Sequence, residues 1–302
     1  MDHLRALRVL CAIADHGGLT HAGKALSLST PTVARILAEL ETHLGAPLFQ
    51  RSTRALRPTE TGRQYLADAR RILEDLGQAD ALAQGAQARP TGTLRVTAPL
   101  LFGQAHVAPI LGEYVERHPG VSVDALFVDR LVHLIEENID VAVRIGPLPD
   151  SGLRAIRLGE VRQVICASPA YLAKHGAPAR PDELKHHRIV AFSGRSTAWG
   201  FAGGQVVRLS PRLLFSTIGA CIALATSGAG VTRALSYQVA AQLEDGSLCE
   251  VLGEYAGDSL PVHLLHTEAR GSSAKLRAFL HLAVERLRAH PLLGGSQRPG
   301  GA

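Results

Sequence analysis

Residues 19–44, LTHAGKALSLSTPTVARILAELETHL, read as two short helices joined by a tight turn. The first is expected to start at Thr20, whose hydroxyl can cap it, and to run through Ala22, Ala25 and Leu26, small enough for a close crossing. Ser27, Leu28 and Ser29 supply the turn. Thr30 follows as N-cap and Pro31 takes the first helical position, where a missing N–H costs nothing and a fixed φ favours the helix. Val33, Ile36, Leu37, Leu40 and Leu44 then recur at helical spacing, making one face core and leaving Thr30, Thr32, Arg35 and Glu39 on the rest. This is the outline of a helix-turn-helix. The second helix of such a pair fits the major groove, its first residues at base edges and its free N–H groups facing phosphates. An ordinary helical hairpin is the alternative.

Residues 45–62, GAPLFQRSTRALRPTETG, weigh against that alternative. Two short apolar segments around Phe49 and Leu56 flank a turn of Ser52, Thr53 and Arg54, and Arg51, Arg54 and Arg57 line the resulting hairpin. Three arginines in seven residues can be a solvated face. Directly after a groove helix they suit the phosphate backbone or the minor groove, which makes the unit a winged helix-turn-helix.

These residues resemble the LysR-type transcriptional regulators. The likeness rests on the opening helix Leu4 to Ala14, on Ser29-x-Pro31-x-x-x-Arg35, on Leu40-Glu41-x-x-Leu44-Gly45-x-x-Leu48-Phe49-x-Arg51 and on Leu56-x-x-Thr59-x-x-Gly62, and it continues to about Arg288. The family commonly has alanines where this chain has His21, Ala22 and Gly23, a Gln at Thr30 and a Ser at Ala34, so the readers here are shorter. The resemblance implies a multi-domain protein: an all-α winged helix-turn-helix with a long linker helix, then an α/β two-subdomain domain like the periplasmic binding proteins. It also implies promoter binding modulated by a small-molecule effector, and groove or backbone contacts from Thr20, Thr30, Thr32, Arg35, Arg51, Arg54 and Arg57.

At 302 residues the chain has room for about two domains. Its composition, 46% hydrophobic and 20% charged, indicates a globular protein rather than a disordered one. Residues 1–71 hold ten Lys or Arg against six Asp or Glu, so +4 of the net +5 lies in under a quarter of the chain. A basic head on a near-neutral body suits one domain on DNA and another on something else. No apolar run approaches the ~18 residues of a membrane span, and the amphipathic N-terminus carries no cleavage site, so a cytoplasmic, nucleoid-associated protein is expected. Cys11, Cys166, Cys221 and Cys249 form no CxxC pair and read as buried free thiols.

Leu4, Leu7, Leu10, Cys11 and Ala14 give the first helix, ended at His16-Gly17-Gly18. After the head (1–59), Thr59 caps a long helix (60–84) in which Tyr65, Ala69, Ile72, Leu76, Ala79 and Ala83 form a heptad seam. A seam without a partner in its own domain finds one in a second copy, so a homodimer is expected; packing on its own body is the alternative. The family's antiparallel linker-helix pairing favours the dimer; the resemblance implies a dimer or a homotetramer of paired dimers, with RNA polymerase as a further candidate partner. Residues 85–92, GAQARPTG, make a hinge.

Beyond the hinge, strands and helices alternate: strands at 94–98, 121–128 and 141–145, with helices at 103–118 and 131–137. A second unit follows, with strands at 164–166 and 189–192, a hairpin at 199–209 and helices at 169–175 and 217–226. Strand 262–266 and helix 274–289 return to the first unit, and residues 291–302 are expected to be disordered. The expected boundaries are 93–161 with 266–290 for subdomain I and 162–265 for subdomain II. In such folds ligands sit beyond the carboxyl ends of strands. That points to Pro99, Leu100, Leu101, Phe102, Gly146 and Pro147 on one wall, and Ser168, Thr197, Trp199 and Thr226 on the other. Where many relatives present hydroxyls, Leu100, Leu101 and Phe102 favour an aromatic or weakly polar effector.

An enzyme is not expected. Gly257-Asp258-Ser259-Leu260 copies an esterase tetrapeptide, but no Asp follows to complete the Asp-x-x-His that would activate its serine. The 14 His suggest no metal site: His263 and His266 fall on opposite faces of a strand and His186-His187 diverge. No cofactor is expected.

Overall fold

A computed structural model describes residues 1–51, 56–83, 89–267 and 273–293. The chain divides into two compact units, Met1–Ala88 and Arg89–Ala302.

The first unit is built on α1 (His3–His16), α2 (Leu19–Leu26) and α3 (Thr30–Leu44). Helix α2 takes Gly18 as its N-cap without a side-chain bond, so Thr20 lies inside the first turn and caps nothing. The cap of α3 is Ser29, not Thr30: its Oγ accepts the Thr32 N–H at 3.3 Å. The expected turn is real but one residue tighter, with Ser27 in the left-handed region at φ 55°. A Cβ on Gly23 would come within 2.7 Å of the Leu28 oxygen, so the turn folds back on α2 too closely for alanine there.

The pair β1 (Phe49–Arg51) and β2 (Leu56–Pro58) is antiparallel, Gln50 facing Arg57; residues 52–55, with the expected turn and Arg54, lie outside the described residues. Glu41 ties this hairpin to α3, its Oε1 accepting the N–H groups of Leu48 at 2.7 Å and Phe49 at 3.1 Å. Thr59 caps α4 (Glu60–Ala83), accepting the Gly62 N–H at 2.8 Å and donating to the Pro47 carbonyl at 2.8 Å. The backbone of α4 passes so near Leu48 that a Cβ on Gly62 would stand 1.9 Å from its oxygen. Leu66 and Ala69 of α4 join a core made by Leu7, Leu10, Ile13, Val33, Ile36, Leu37, Leu40, Leu48 and Phe49.

The expected seam on α4 therefore splits. Ala69 is buried and Tyr65 packs against the same core, whereas Ile72 is 43% exposed, Leu76 half-buried and Ala79 exposed. Gln84, the last residue of the expected helix, and 85–88, half of the expected hinge, lie outside the described residues, and Gly92 already belongs to a strand.

The second unit opens with β3 (Gly92–Ala98), then α5 (Leu100–Phe102), a π-turn (Gly103–Val107), α6 (Ala108–Arg117) and β4 (Val121–Phe127). β5 (Val141–Ile145) and β6 (Leu153–Val161) follow. Across the sheet the order is β4-β3-β5-β14-β6, where β14 is Leu260–Thr267. β3 runs parallel to β4 and β5; β14 is antiparallel to β5 and β6, so the sheet is mixed. Helices α6 and α10 (Ala274–Arg288) cover one face over Val96, Phe102, Tyr114, Val143, Leu264 and Phe279. Pro291–Leu293, at the head of the expected disordered tail, form a short turn with Leu293 buried; the rest of that tail lies outside the described residues.

The opposite face is covered by residues 128–139, where a helix was expected at 131–137. The chain there makes turns, with Val132, Leu134 and Ile139 buried against Ala142 and Leu265. Burial at 132 and 134 with 131, 133 and 135 exposed is not a helical period. Arg130 grips Glu137 with two hydrogen bonds, at 2.8 and 2.6 Å, which closes the segment as a loop.

The other subdomain contains β7 (Gln163–Ala167), α7 (Pro169–His175), β8 (Val190–Phe192), the antiparallel hairpin of β9 (Ala198–Gly200) and β10 (Val206–Arg208), and β11 (Leu213–Phe215). It continues through α8 (Ile218–Thr226), β12 (Thr232–Leu235), α9 (Ala240–Glu244) and β13 (Cys249–Val251). β7 lies between β12 and β13, and β8 pairs in parallel with β11. The chain crosses between subdomains at Arg162 and returns before Leu260, earlier than the expected boundary at 266. Arg162 pins the first crossing to Glu250, Nη2 to Oε2 at 2.8 Å. The tetrapeptide at 257–260 belongs to the return and runs into β14. Cys11, Cys166 and Cys221 are buried free thiols and Cys249 is half-buried; burial pushes Cys166 up to about 12 and Cys221 to about 11.

Candidate nucleic-acid interface and ligand cavity

In the first unit the N-terminal turn of α3 is closed by its Ser29 cap. Thr32 Oγ1 lies 2.7 Å from Ser29 Oγ, and Thr30 and Thr32 are half-buried. Arg35 is exposed and paired with Glu39 one turn on at 2.5 Å. Exposed ion pairs of this kind contribute roughly 0.3–0.5 kcal/mol, so a phosphate or base edge displaces Glu39 cheaply. Thr20 is exposed on α2 and Arg57 on β2; Arg51 ends β1, and Arg54 falls in the segment not described. Glu41 was read only as a letter of the pattern that opens at Leu40; its role, accepting two backbone N–H groups seven and eight residues ahead, leaves no periodic trace.

In the second unit a cavity of about 580 Å³ opens between the subdomains. Of the residues expected there, Pro99, Gly146, Pro147 and Trp199 line it. The other six do not. Phe102 is fully buried in the core, Leu101 packs against both subdomain cores, and the Leu100 N–H is taken by Asp129 Oδ1 at 3.0 Å. Ser168 caps α7, Thr226 Oγ1 donates to the Ile222 carbonyl at 2.9 Å, and the Thr197 carbonyl accepts the Leu209 N–H at 3.1 Å. Residues at strand ends serve helix caps and turns as readily as ligands, and here those bonds take them.

The wall is more charged than the sequence led us to expect. Arg144, Arg195 and Arg233 all line it, beside Leu134, Ile145, Leu148, Phe192 and Ile218. Arg233, half-buried on β12, lies 4.9 Å from the centre of the Trp199 ring. Burial and then the charge of Arg195 bring its pKa down to about 10, which marks a cation short of compensation. Arg144 on β5 is also lowered by burial, and its Nη2 donates to the Val132 carbonyl at 2.6 Å. Tyr237 is buried with its pKa raised by desolvation, its hydroxyl accepting from Gln238 Nε2 at 3.2 Å. Arg144 stands next to last on β5, Arg233 is the one charge in β12, and Asp129 comes just after β4. A charge set in or just beyond an apolar strand was the signal available.

The description "Bacterial regulatory helix-turn-helix protein, lysR family" matches residues 4–63, and "LysR substrate binding domain" matches residues 87–288. The chain is 32% identical over 286 residues to the HTH-type transcriptional regulator CrgA of Neisseria meningitidis serogroup C, covering 93% of this chain and 96% of that protein. It is also 32% identical over 294 residues to the regulator PtxR of Pseudomonas aeruginosa, with coverages of 96% and 94%. The solved structure of CrgA from Neisseria meningitidis matches 94% of this chain and 98% of its own, with a TM-score of 0.61 at 31% identity. Among the described residues no helix is long and apolar enough to cross a membrane. With a groove helix and wing at one end, a two-subdomain cavity at the other, and relatives alike over nearly the whole length, the chain belongs to the LysR family of transcriptional regulators.

Proposed function

We propose that this LysR-type regulator reads its promoter with Thr30, Thr32 and Arg35 in the major groove, steadied on the backbone or minor groove by Thr20, Arg51, Arg54 and Arg57. The observation that carries this reading is the solvent side of the first turns of α3, with Arg35 exposed and Thr30 and Thr32 half-buried, capped by Ser29 and followed by the wing strand β1. The far half of α4, from Ile72 through Leu76 and Ala79 to Ala83, pairs with a second copy, and dimers pair further into a tetramer. The exposure of Ile72 supports this half of the seam; Tyr65 and Ala69 serve their own core.

The effector is an anion with an apolar body, its charge met by Arg233 and Arg195 and its body by the apolar wall. This replaces a weakly polar ligand with a charged one. An effector that prefers the closed cavity shifts the pairing of dimers, hence the bend of the promoter and its contact with RNA polymerase.

The test is binding to the DNA upstream of the protein's own gene, against scrambled DNA, across a salt series. Wild type should prefer the native DNA and give a two-part footprint. Arg35→Ala should cost roughly 1–3 kcal/mol with discrimination lost at one position. Arg57→Ala should weaken all sites alike and lower the salt slope by about 0.9. An unchanged slope would remove the wing from the DNA.

A further inference from the structure

Two demands meet in the cavity, and they have opposite sign. On one subdomain, the guanidinium groups of Arg195 and Arg233 have no carboxylate partner among the described residues. On the other, Asp129 presents a carboxylate of which only one oxygen is used. Its Oδ1 accepts the Leu100 N–H at 3.0 Å, while its Oδ2 is buried and has no hydrogen-bond partner among the described residues. A carboxylate oxygen removed from water without a donor is costly, and the Leu100 bond stops it from turning away.

The cations nearest in sequence and on the adjoining strand are already engaged. Arg130 is bound by both nitrogens to Glu137, and Arg144 donates to the Val132 carbonyl. The donor for Asp129 must therefore come from whatever fills the cavity. Tyr237, which feels the charges of both Asp129 and Arg195, lies on the same wall, so the two demands belong to one binding space.

The geometry points to an effector that is a carboxylate bearing its own hydrogen-bond donor, an amino or hydroxy acid with an apolar body, whose carboxylate meets Arg233 and Arg195 and whose ammonium or hydroxyl meets Asp129 Oδ2. This rests on the reading of the cavity as an anion site and adds a specificity-determining residue to it. Asp129 selects for the donor; the arginines select for the charge. A plain acid leaves the Asp129 oxygen stranded, and that penalty is the source of the discrimination.

The experiment is calorimetry on the full-length protein with two matched series: 3-phenylpropanoate, 3-phenyllactate and phenylalanine, and 4-methylpentanoate, its 2-hydroxy derivative and leucine. In at least one series the donor-bearing acids should bind roughly tenfold or more tightly than the plain acid, as expected of a hydrogen bond to a charged group. Asp129→Asn keeps an oxygen for the Leu100 N–H but turns a donor toward the ligand, so the ratio should fall to one or invert. Arg233→Gln should weaken plain and substituted acids by the same factor. If plain acids bind, depend on Arg233 and gain nothing from a donor, the inference falls and the anion site stands. A loss in Asp129→Asn that is equal for all acids would also overturn it, because Asp129 would then be pairing with an arginine across the cavity. If no acid of either series binds, the anion site and the inference fall together.

Discussion

Replacing Glu41 with Ala tests how the wing is held. One carboxylate oxygen accepts two N–H groups, from Leu48, fully buried, and Phe49, 7% exposed, at 2.7 and 3.1 Å. No water can reach these amides easily when the acceptor is gone. Each hydrogen bond to a charged group is worth about 1.5–3 kcal/mol, and the longer one belongs at the low end, so the pair should cost roughly 3–5 kcal/mol of local stability. Glu41→Gln keeps an oxygen without the charge and should lose about half as much. Native-state hydrogen exchange on the full-length protein reads the effect directly, at the peptide that contains Leu48 and Phe49. Exchange there should accelerate by roughly two to four orders of magnitude, as that free energy implies, with wild type slowest, Gln intermediate and Ala fastest. The single Trp, Trp199, lies in the second unit, and its fluorescence should not change. If the two amides in Glu41→Ala exchange as slowly as in wild type, the wing is secured by something else and this account of the Leu40-Glu41 pattern is wrong.

Two further outcomes follow from burial. His106 lies among Phe102, Tyr237 and His290, with ring centres 4.9, 5.7 and 4.5 Å away, and burial first, then His290, lowers its pKa to about 4. The unfolded chain, near 6.5, binds the proton more readily, so this contribution is complete above pH 6.5, falls as the pH drops toward 4 and levels below it. The loss is about 3 kcal/mol at most, and His106→Phe should flatten that slope in urea titrations followed through Trp199; an equal slope in both proteins would place its origin elsewhere. On α4, Ile72→Glu with Leu76→Glu should give a monomer by sedimentation while the head stays folded, since neither residue is in its fully buried core. A dimer that persists would mean that copies pair elsewhere.

The helix-turn-helix was legible because its information is local: a proline, a cap and an apolar period lie within residues 29–44. Even there, the cap slid from Thr30 to Ser29, since either hydroxyl satisfies the pattern and only the turn behind it decides. Segment 131–137 was read as a helix because Leu131, Leu134 and Ile135 suggest that period. Yet Leu131 and Ile135 are 67% and 71% exposed, and the chain buries 132, 134 and 139 instead. β6, an edge strand studded with Arg154, Arg157 and Glu160, was not seen at all, because one face meets solvent and its pairing with β14 spans about a hundred residues. The cavity was found in outline, through Pro99, Gly146, Pro147 and Trp199, but its polarity was not. Arg144 sits inside a strand that read as core and Arg233 inside β12, a strand the sequence did not suggest, and only the tertiary fold turns them toward one space.

Helix α4 makes the head and its shaft a single casting. It is 24 residues, about 36 Å of rod, and its lower turns close the hydrophobic centre of the first unit through Leu66 and Ala69. A cut at residue 59, where the wing ends, would open that centre to water; a transplantable reading head has to be taken at least through Leu73. The rod also leaves no swivel between wing and shaft, with Gly62 pressed against Leu48 at the only plausible joint. Recombining heads among such regulators should then exchange spacing preference along with base preference.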